Sequence, residues 1–198
     1  MIKVGVTGGI GAGKTTFCKV WQQLGAFVVY ADELAKQIMG TNPVLIASIK
    51  KVFGEQSYHS DGSLHREFLA QEAFNKGRVQ ELNAIVHPVL WTTISELVEK
   101  KQKEGIRIFV KEAAILLQNG RPKDLDYIIL LDANLDQRIE RVEQRDQVQK
   151  KLILHRVSKQ PNIEHLRSLV DYVVSNNSTE QVLVENAKHL FNQIVNKK

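Results

Sequence analysis

The sequence predicts an α/β fold, a parallel sheet covered on both faces by helices, and three observations predict it. Five short runs rich in β-branched and aromatic residues, at 2–6, 27–30, 106–110, 127–131 and 172–174, alternate with stretches of helical periodicity. A glycine-rich segment joins the first run to the first helix. Carboxylates follow the second, third and fourth runs closely, as Asp32, Glu112 and Asp132. In an open parallel sheet these are the strand ends at which ligands gather.

The first run, Ile2-Lys3-Val4-Gly5-Val6, reads as a buried strand. The segment after it, Gly8-Gly9-Ile10-Gly11-Ala12-Gly13-Lys14-Thr15, fits G-x-x-x-x-G-K-[ST] at every fixed position. Phe17, Val20, Trp21 and Leu24 then recur at helical spacing. Strand, loop and helix in that order make a phosphate-binding loop. Glycines let successive N–H groups turn into one concavity, and the positive end of the following helix faces the same place. Lys14 then reaches the β and γ phosphates, and the Thr15 hydroxyl is placed for Mg²⁺. The chain is expected to bind a nucleoside triphosphate.

Residues 31–105 carry no strand signal. Helices are expected there near 43–53, 64–74, 79–86 and 89–101, with Ser60-Asp61-Gly62-Ser63 as a turn between the first two. Pro88 suits the first turn of the last of them. A crossover needs only one helix, so this stretch reads as an inserted helical segment. A second helical and strongly charged region spans 136–160, and residues 181–194 read as a closing amphipathic helix with a frayed Asn196-Lys197-Lys198 end.

Several of these positions can carry chemistry. Asp32 can accept a proton from an attacking hydroxyl, or cap the helix that follows it. Glu112 suits a Mg²⁺-bound water, or is a solvated strand end. Asp132 resembles the acid closing a Walker-B strand, with helix capping as the safer reading. Arg138, Arg141 and Arg145 fall on roughly one helical face. With a phosphate loop present they suit a mobile basic element closing over the migrating phosphoryl group, because they have no assured acidic partners until phosphate arrives. Arg66 follows the Asp61-Gly62 turn, and Asn83 precedes the His87-Pro88 pair, which by itself reads as a surface helix start.

Composition narrows the partners. With 198 residues the chain suits one well-buried core plus an insertion, and 43% hydrophobic with 25% charged residues is an ordinary globular balance. The net charge of +5 suits an anionic ligand. Its basic residues form no arginine-rich block with interleaved aromatics, so nucleic acid is not expected as a partner. No apolar run reaches the roughly 20 residues of a membrane span, and Met1-Ile2-Lys3 enters a strand at once, so neither membrane nor signal peptide is expected. The single cysteine, Cys18, fits a reducing cytoplasm and a core position. Six histidines without paired acids or cysteines give no zinc pattern.

Taken together, the motifs resemble those of the dephospho-coenzyme A kinase family, from end to end. Thr7 to Thr15 is similar to that family's Thr-Gly-Gly-Ile-Gly-Ser-Gly-Lys opening. Leu24-Gly25, Ala31-Asp32, Gly62-x-Leu64-x-Arg66 and Leu82-Asn83 with His87-Pro88 follow in order. Arg138-x-x-Arg141-x-x-x-Arg145-Asp146, Arg156-Val157-x-x-Gln160 and Asp171-Tyr172-Val173-Val174-x-Asn176 complete the set. There are departures. Tyr30 replaces the first acid of an Asp-Ala-Asp, Ala114 and Gln118 alter a Pro-Leu-Leu-acid stretch, and Ser178 stands where Gly is common.

The resemblance implies a P-loop fold with a five-stranded parallel sheet flanked by helices. It implies one domain over 1–198 containing a helical acceptor-binding insert at 41–102 and a basic lid at 136–160. It further implies transfer of the ATP γ-phosphoryl group, with Mg²⁺, to the ribose 3′-hydroxyl of dephospho-coenzyme A, in the cytoplasm, by a monomer or weak homo-oligomer. On that pattern Lys14, Asp32 and Arg141 are catalytic, with Asp32 as the base. Gly8, Gly9, Gly11, Ala12, Gly13, Lys14, Thr15, Thr16, Arg145 and Asn176 bind ATP, and Thr15 ligates the metal. Arg66, Asn83, His87 and Glu112 hold the acceptor.

The residues alone leave two rivals. Another small-acceptor kinase, of nucleoside monophosphate or shikimate type, needs the same loop, base and arginines. A guanine-nucleotide switch wants Asn-Lys-x-Asp, whereas Asn75-Lys76-Gly77-Arg78 lacks the Asp.

Overall fold

Val4 and Val6 are fully buried at the centre of the sheet. In the computed structural model, which describes residues 1–118 and 120–197 and all their side chains but that of Phe74, Ile2–Gly8 forms strand β1. The other strands are β2 (Phe27–Tyr30), β3 (Ile108–Glu112), β4 (Tyr127–Asp132) and β5 (Tyr172–Ser175). They lie in the order β2-β3-β1-β4-β5 and every neighbouring pair is parallel. Ile128, Ile129, Leu130 and Leu131 have no exposed surface, because a parallel sheet covered on both faces needs a continuous apolar run rather than alternation. The chain goes to one side of β1 for β2 and β3, and to the other for β4 and β5. The loop after β1 therefore opens where the winding changes side, the usual ligand position in such sheets.

Helix α1 (Lys14–Gln23) follows the loop. Its apolar face, Phe17, Cys18, Val20 and Trp21, is buried in one cluster with Leu183, Ala187, Leu190 and Ile194 of the last helix. The Trp21 indole donates to the Ala187 carbonyl at 2.9 Å, so the polar edge of a fully buried ring is satisfied. That last helix spans Glu180–Asn196 and is capped by the Thr179 side chain. The helix runs through Asn196, which the sequence assigns to the frayed end, and Lys197 after it donates to the Tyr172 hydroxyl at 2.8 Å. Lys198 lies outside the described residues.

Strand β3 sits two residues later than its expected range of 106–110. Gly105, at φ 81°, turns the chain so that Ile106 N–H still bonds back to Lys101, and the ladder starts only with Ile2 N–H on the Arg107 carbonyl. Glu112 is thereby the last residue of the strand, opposite Val6 on one side and Tyr30 on the other.

The chain divides into two compact units, Ala31–Lys100 and the remainder. The first is helical. Helix α2 (Ala31–Thr41) is followed by α3 (Pro43–Phe53), whose Asn42 side chain accepts from Leu45 N–H and whose proline occupies the first turn. Leu64 forms a lone antiparallel bridge with Tyr58 rather than opening a helix, so α4 is only Arg66–Ala70 and continues as a π-helical turn over Gln71–Asn75. Arg78 stacks on Phe53 at 4.4 Å and pairs with Glu72 and Glu81, closing the π turn electrostatically.

The two helices expected at 79–86 and 89–101 are a single helix, α5 (Val79–Lys103), with Pro88 inside it. Proline lacks the N–H that would bond the Ala84 carbonyl. Leu82, Val86, Leu90 and Ile94 nevertheless keep one buried stripe in register across it, so burial along one face carries the helix through the proline. Helices α6 (Leu135–Asp146), α7 (Lys150–Ser158), α8 (Ile163–Leu166) and the last helix, α9, belong to the sheet unit. Among the described residues no helix is long and apolar enough to cross a membrane.

Candidate functional site

The loop between β1 and α1 is shaped by donors that pull its carbonyls outward. The Lys14 ammonium donates to the Gly8 and Gly9 carbonyls at 3.0 and 3.3 Å. Arg138 Nε donates to the Ile10 carbonyl at 2.9 Å, and the buried Asn176 amide to the Ala12 carbonyl at 2.9 Å. Two of the loop's N–H groups are also engaged, Ile10 with Gln160 and Ala12 with the Gly9 carbonyl, so the concavity is left to other N–H groups of the loop and of the α1 start. Gly13 stands at the entry to α1 with φ 97°, and no side chain caps the helix. A Cβ on Gly13 would overlap the Asn176 amide, so this position requires glycine on conformation and on space. An uncapped helix start beneath a curled loop is an anion site.

The loop opens on a cavity of about 400 Å³ lined by Gly11, Gly13, Lys14, Thr15, Thr16, Arg141, Arg145 and Asn176. Eight positions expected at a nucleotide site thus meet in one place. Gly8, Gly9 and Ala12 form the loop's frame. Lys19, Val142, Glu180 and Leu183 complete the lining. None of the four was foreseen. Lys19 and Glu180 belong to no motif, and only their positions on α1 and at the start of α9 bring them to the cavity.

The three arginines of α6 divide. Arg141 donates from one terminal nitrogen to the Asn176 carbonyl at 3.0 Å, while its Nη1 is buried with no hydrogen-bond partner among the described residues. Arg145 forks onto Asp146 at 2.7 and 3.0 Å. This hydrogen bonding raises the pKa of Arg145 and lowers that of Asp146, which Arg156 also approaches at 3.8 Å. The expectation that these arginines lack acidic partners therefore fails for Arg145: its own C-terminal neighbour supplies one. Arg138 does not line the cavity. It is buried and turned to the loop backbone.

Glu112 is 7% exposed and lies 3.8 Å from the Lys14 ammonium, so it is not a solvated strand end. The two-residue shift of β3 is the reason. Burial, and then the Glu112 charge, push the Cys18 thiol well above its usual range, with Lys14 opposing. Cys18 is an inert core group. Asp132 ends β4 and pairs with Arg167 instead of capping α6, whose N-cap position is Asn134.

Asp32, Arg66, Asn83 and His87 belong to the helical unit. Asp32 lies in the first turn of α2, which begins at Ala31, so it is not the helix cap, and its side chain is exposed. Arg66 is the exposed first residue of α4. Asn83 and His87 are four residues apart on α5 and half-buried, with the His87 ring 5.4 Å from that of Trp91. His87 is an interior helical residue rather than the surface helix start that His-Pro suggested.

Comparison with known proteins places this geometry. A family model described as dephospho-CoA kinase matches residues 2–181. A dephospho-CoA kinase of Salinibacter ruber is 38% identical over 192 residues, covering 96% of this chain and 96% of that protein. One of Chlorobium chlorochromatii is 33% identical, covering 97% and 93%. Among solved structures, a Thermus thermophilus protein aligns with a TM-score of 0.81 at 26% identity over 97% of both chains. A dephospho-CoA kinase from Campylobacter jejuni shares the fold, with a TM-score of 0.72 at 23% identity over 97% of this chain and 96% of that one. The matches run through the phosphate loop, the helical unit and the arginine helix alike, and this chain belongs to the dephospho-CoA kinase family.

Proposed function

We propose that this protein transfers the γ-phosphoryl group of ATP to the ribose 3′-hydroxyl of dephospho-coenzyme A, giving coenzyme A. The observation that carries the reading is the single cavity onto which the phosphate loop, Lys14, Thr15, Arg141, Arg145 and Asn176 converge. Two peptide carbonyls hold the Lys14 ammonium at the loop, from which it swings to β and γ oxygens. The buried, unpartnered Nη1 of Arg141 is a donor whose desolvation is already incurred, so a phosphate oxygen reaching it gains a charge-assisted bond at little further cost. Asn176 fixes the loop floor through Ala12, and Arg145 exchanges Asp146 for phosphate.

Asp32 is the proposed base. As the bond from O3′ to the γ phosphorus forms, the 3′-hydroxyl proton passes to its carboxylate. The bond from that phosphorus to the β,γ-bridging oxygen breaks, and ADP leaves with the electron pair. The donor set also fits Mg²⁺. Thr15 supplies a hydroxyl oxygen in the cavity wall, and this ion keeps most of its shell as water and phosphate oxygen instead of a protein cage. When bound, Mg²⁺ neutralises developing phosphate charge. Arg66, Asn83, His87 and Glu112 are assigned to the acceptor side, the first three through the helical segment drawn as an insert at 41–102. A cytoplasmic enzyme, monomeric or weakly self-associating, completes the reading.

Incubated with MgATP, the protein should phosphorylate dephospho-coenzyme A and act poorly on AMP, dTMP and shikimate. Mass spectrometry should find one added phosphoryl group, at the 3′ position. Efficient phosphorylation of a monophosphate with none on dephospho-coenzyme A would overturn the acceptor and leave the kinase standing.

Residues 136–160 are proposed as a lid. Amide exchange within that segment should slow when ATP and acceptor bind together. Equal protection in free and ternary states would make it a fixed element.

A further inference from the structure

Ile10, at the tip of the phosphate loop, is gripped from three directions. Its N–H donates to Gln160 Oε1 at 3.0 Å, and its carbonyl accepts from Arg138 Nε at 2.9 Å. Its side chain packs against Ile139, Val142 and Ile153, the small core shared by α6 and α7. The grip is closed on itself, because Arg138 Nη2 donates to the same Gln160 oxygen at 3.2 Å. Space is tight as well: a Cβ on Gly9 would overlap the Arg138 guanidinium.

Arg138 is 6% exposed, and its described hydrogen bonds go to neutral oxygens. The nearby carboxylate of Asp132 is paired with Arg167. A buried guanidinium satisfied by a peptide carbonyl and an amide oxygen keeps its charge beside the loop. Burial lowers its pKa from the ordinary arginine value, partly offset by Asp132, and arginine remains protonated regardless.

We infer that Gln160 and Arg138 are positioning residues that hold the phosphate loop in its nucleotide-binding shape by clamping the N–H and the carbonyl of Ile10, one on each of two successive peptides. Gln160 contributes the acceptor that no cation can replace: it takes the Ile10 N–H, while the Ala12 N–H turns back onto the Gly9 carbonyl at 3.1 Å, and it steers Arg138. The clamp also joins the two ends of the 136–160 segment at one point on the loop, so closure of that segment is confined to the residues between them. The inference rests on the nucleotide-binding half of the proposed reaction and not on the identity of the acceptor.

The test compares three replacements in the full chain. Gln160→Met keeps length but has no oxygen. Gln160→Ala removes the side chain. Gln160→Glu keeps an acceptor oxygen at the same reach. ADP affinity, measured by titration calorimetry, is read independently of any acceptor, and kcat and KM for ATP are then measured with dephospho-coenzyme A. Gln160→Met and Gln160→Ala should weaken ADP binding and lower kcat/KM for ATP by about 10- to 100-fold, the usual scale for loss of registration at a reacting group. Gln160→Glu should stay within about threefold of the parent, since a carboxylate accepts from both donors. Melting temperature, which a merely structural contact would move, should shift little in all three. The inference is overturned if Gln160→Met binds ADP like the parent. It is equally overturned if Gln160→Glu loses as much as Gln160→Met, or if stability falls while kcat/KM per folded molecule is unchanged. If the parent binds ADP but never phosphorylates dephospho-coenzyme A, the acceptor assignment fails and the calorimetric comparison still decides the clamp.

Discussion

Lys14→Ala is expected to lower kcat by about 100- to 1,000-fold, the scale on which removing one donor from developing charge acts. Two carbonyls accept from the ammonium at 3.0 and 3.3 Å, so the substitution also takes these bonds from the loop. There is a second structural effect. Glu112 is buried and 3.8 Å from the same ammonium, so deleting the lysine removes a cation from beside a buried carboxylate. Some loss of stability should therefore accompany the loss of turnover. Pairing Lys14→Met with Glu112→Gln separates the two: melting temperature should recover in the double variant, and turnover should not. Near-parental turnover in Lys14→Ala, on protein whose circular dichroism shows it folded, would sink the assigned role.

Asp32→Asn should lower kcat by about 100- to 10,000-fold with KM for ATP little changed, as expected for loss of a general base. Asparagine keeps size and hydrogen-bonding oxygen but cannot take the proton. The carboxylate lies in the first turn of α2, where its charge interacts favourably with the helix dipole, so a small fall in stability, about 0.3–1 kcal/mol, belongs to the same substitution. If turnover per folded molecule survives and only that stability change is seen, Asp32 serves the helix, and Glu112 becomes the next candidate.

Strand, loop and helix were legible because each is written locally. The Lys14-Thr15 pair, the glycines and the 3.6-residue spacing of the first helix are short-range signals. The register of β3 was not, since a two-residue offset depends on the turn at Gly105 and on pairing with a strand about a hundred positions away. Helix α5 was split in reading because proline is a strong local breaker, whereas the buried stripe that overrides it needs a core to be visible. Arg138 shows the limit at the site. Its spacing puts it beside Arg141 and Arg145, and a helical wheel cannot tell which of three neighbours turns inward onto a peptide carbonyl. Gln160 belonged to a recognisable motif, but nothing in its sequence context names Ile10 as its partner.

The strand order has a consequence for how the protein is made. Strand β1 precedes the other four strands in the chain yet sits mid-sheet, and the strands that flank it, β3 and β4, follow only at residues 108–112 and 127–132. Its helix α1 waits longer still, for α9 near the end of the chain. Such long-range pairing must bear its loop-closure entropy before any contact offsets it, so it folds slowly. During translation the apolar run at 2–8 and the Phe17–Trp21 face therefore emerge from the ribosome well before their partners exist. The continuous stretch 31–100, whose contacts are largely its own, has what it needs earlier. On the ribosome the phosphate loop emerges ahead of the strands and the helix α9 that complete its surroundings, and the nascent strand β1 is where chaperone dependence and aggregation should concentrate.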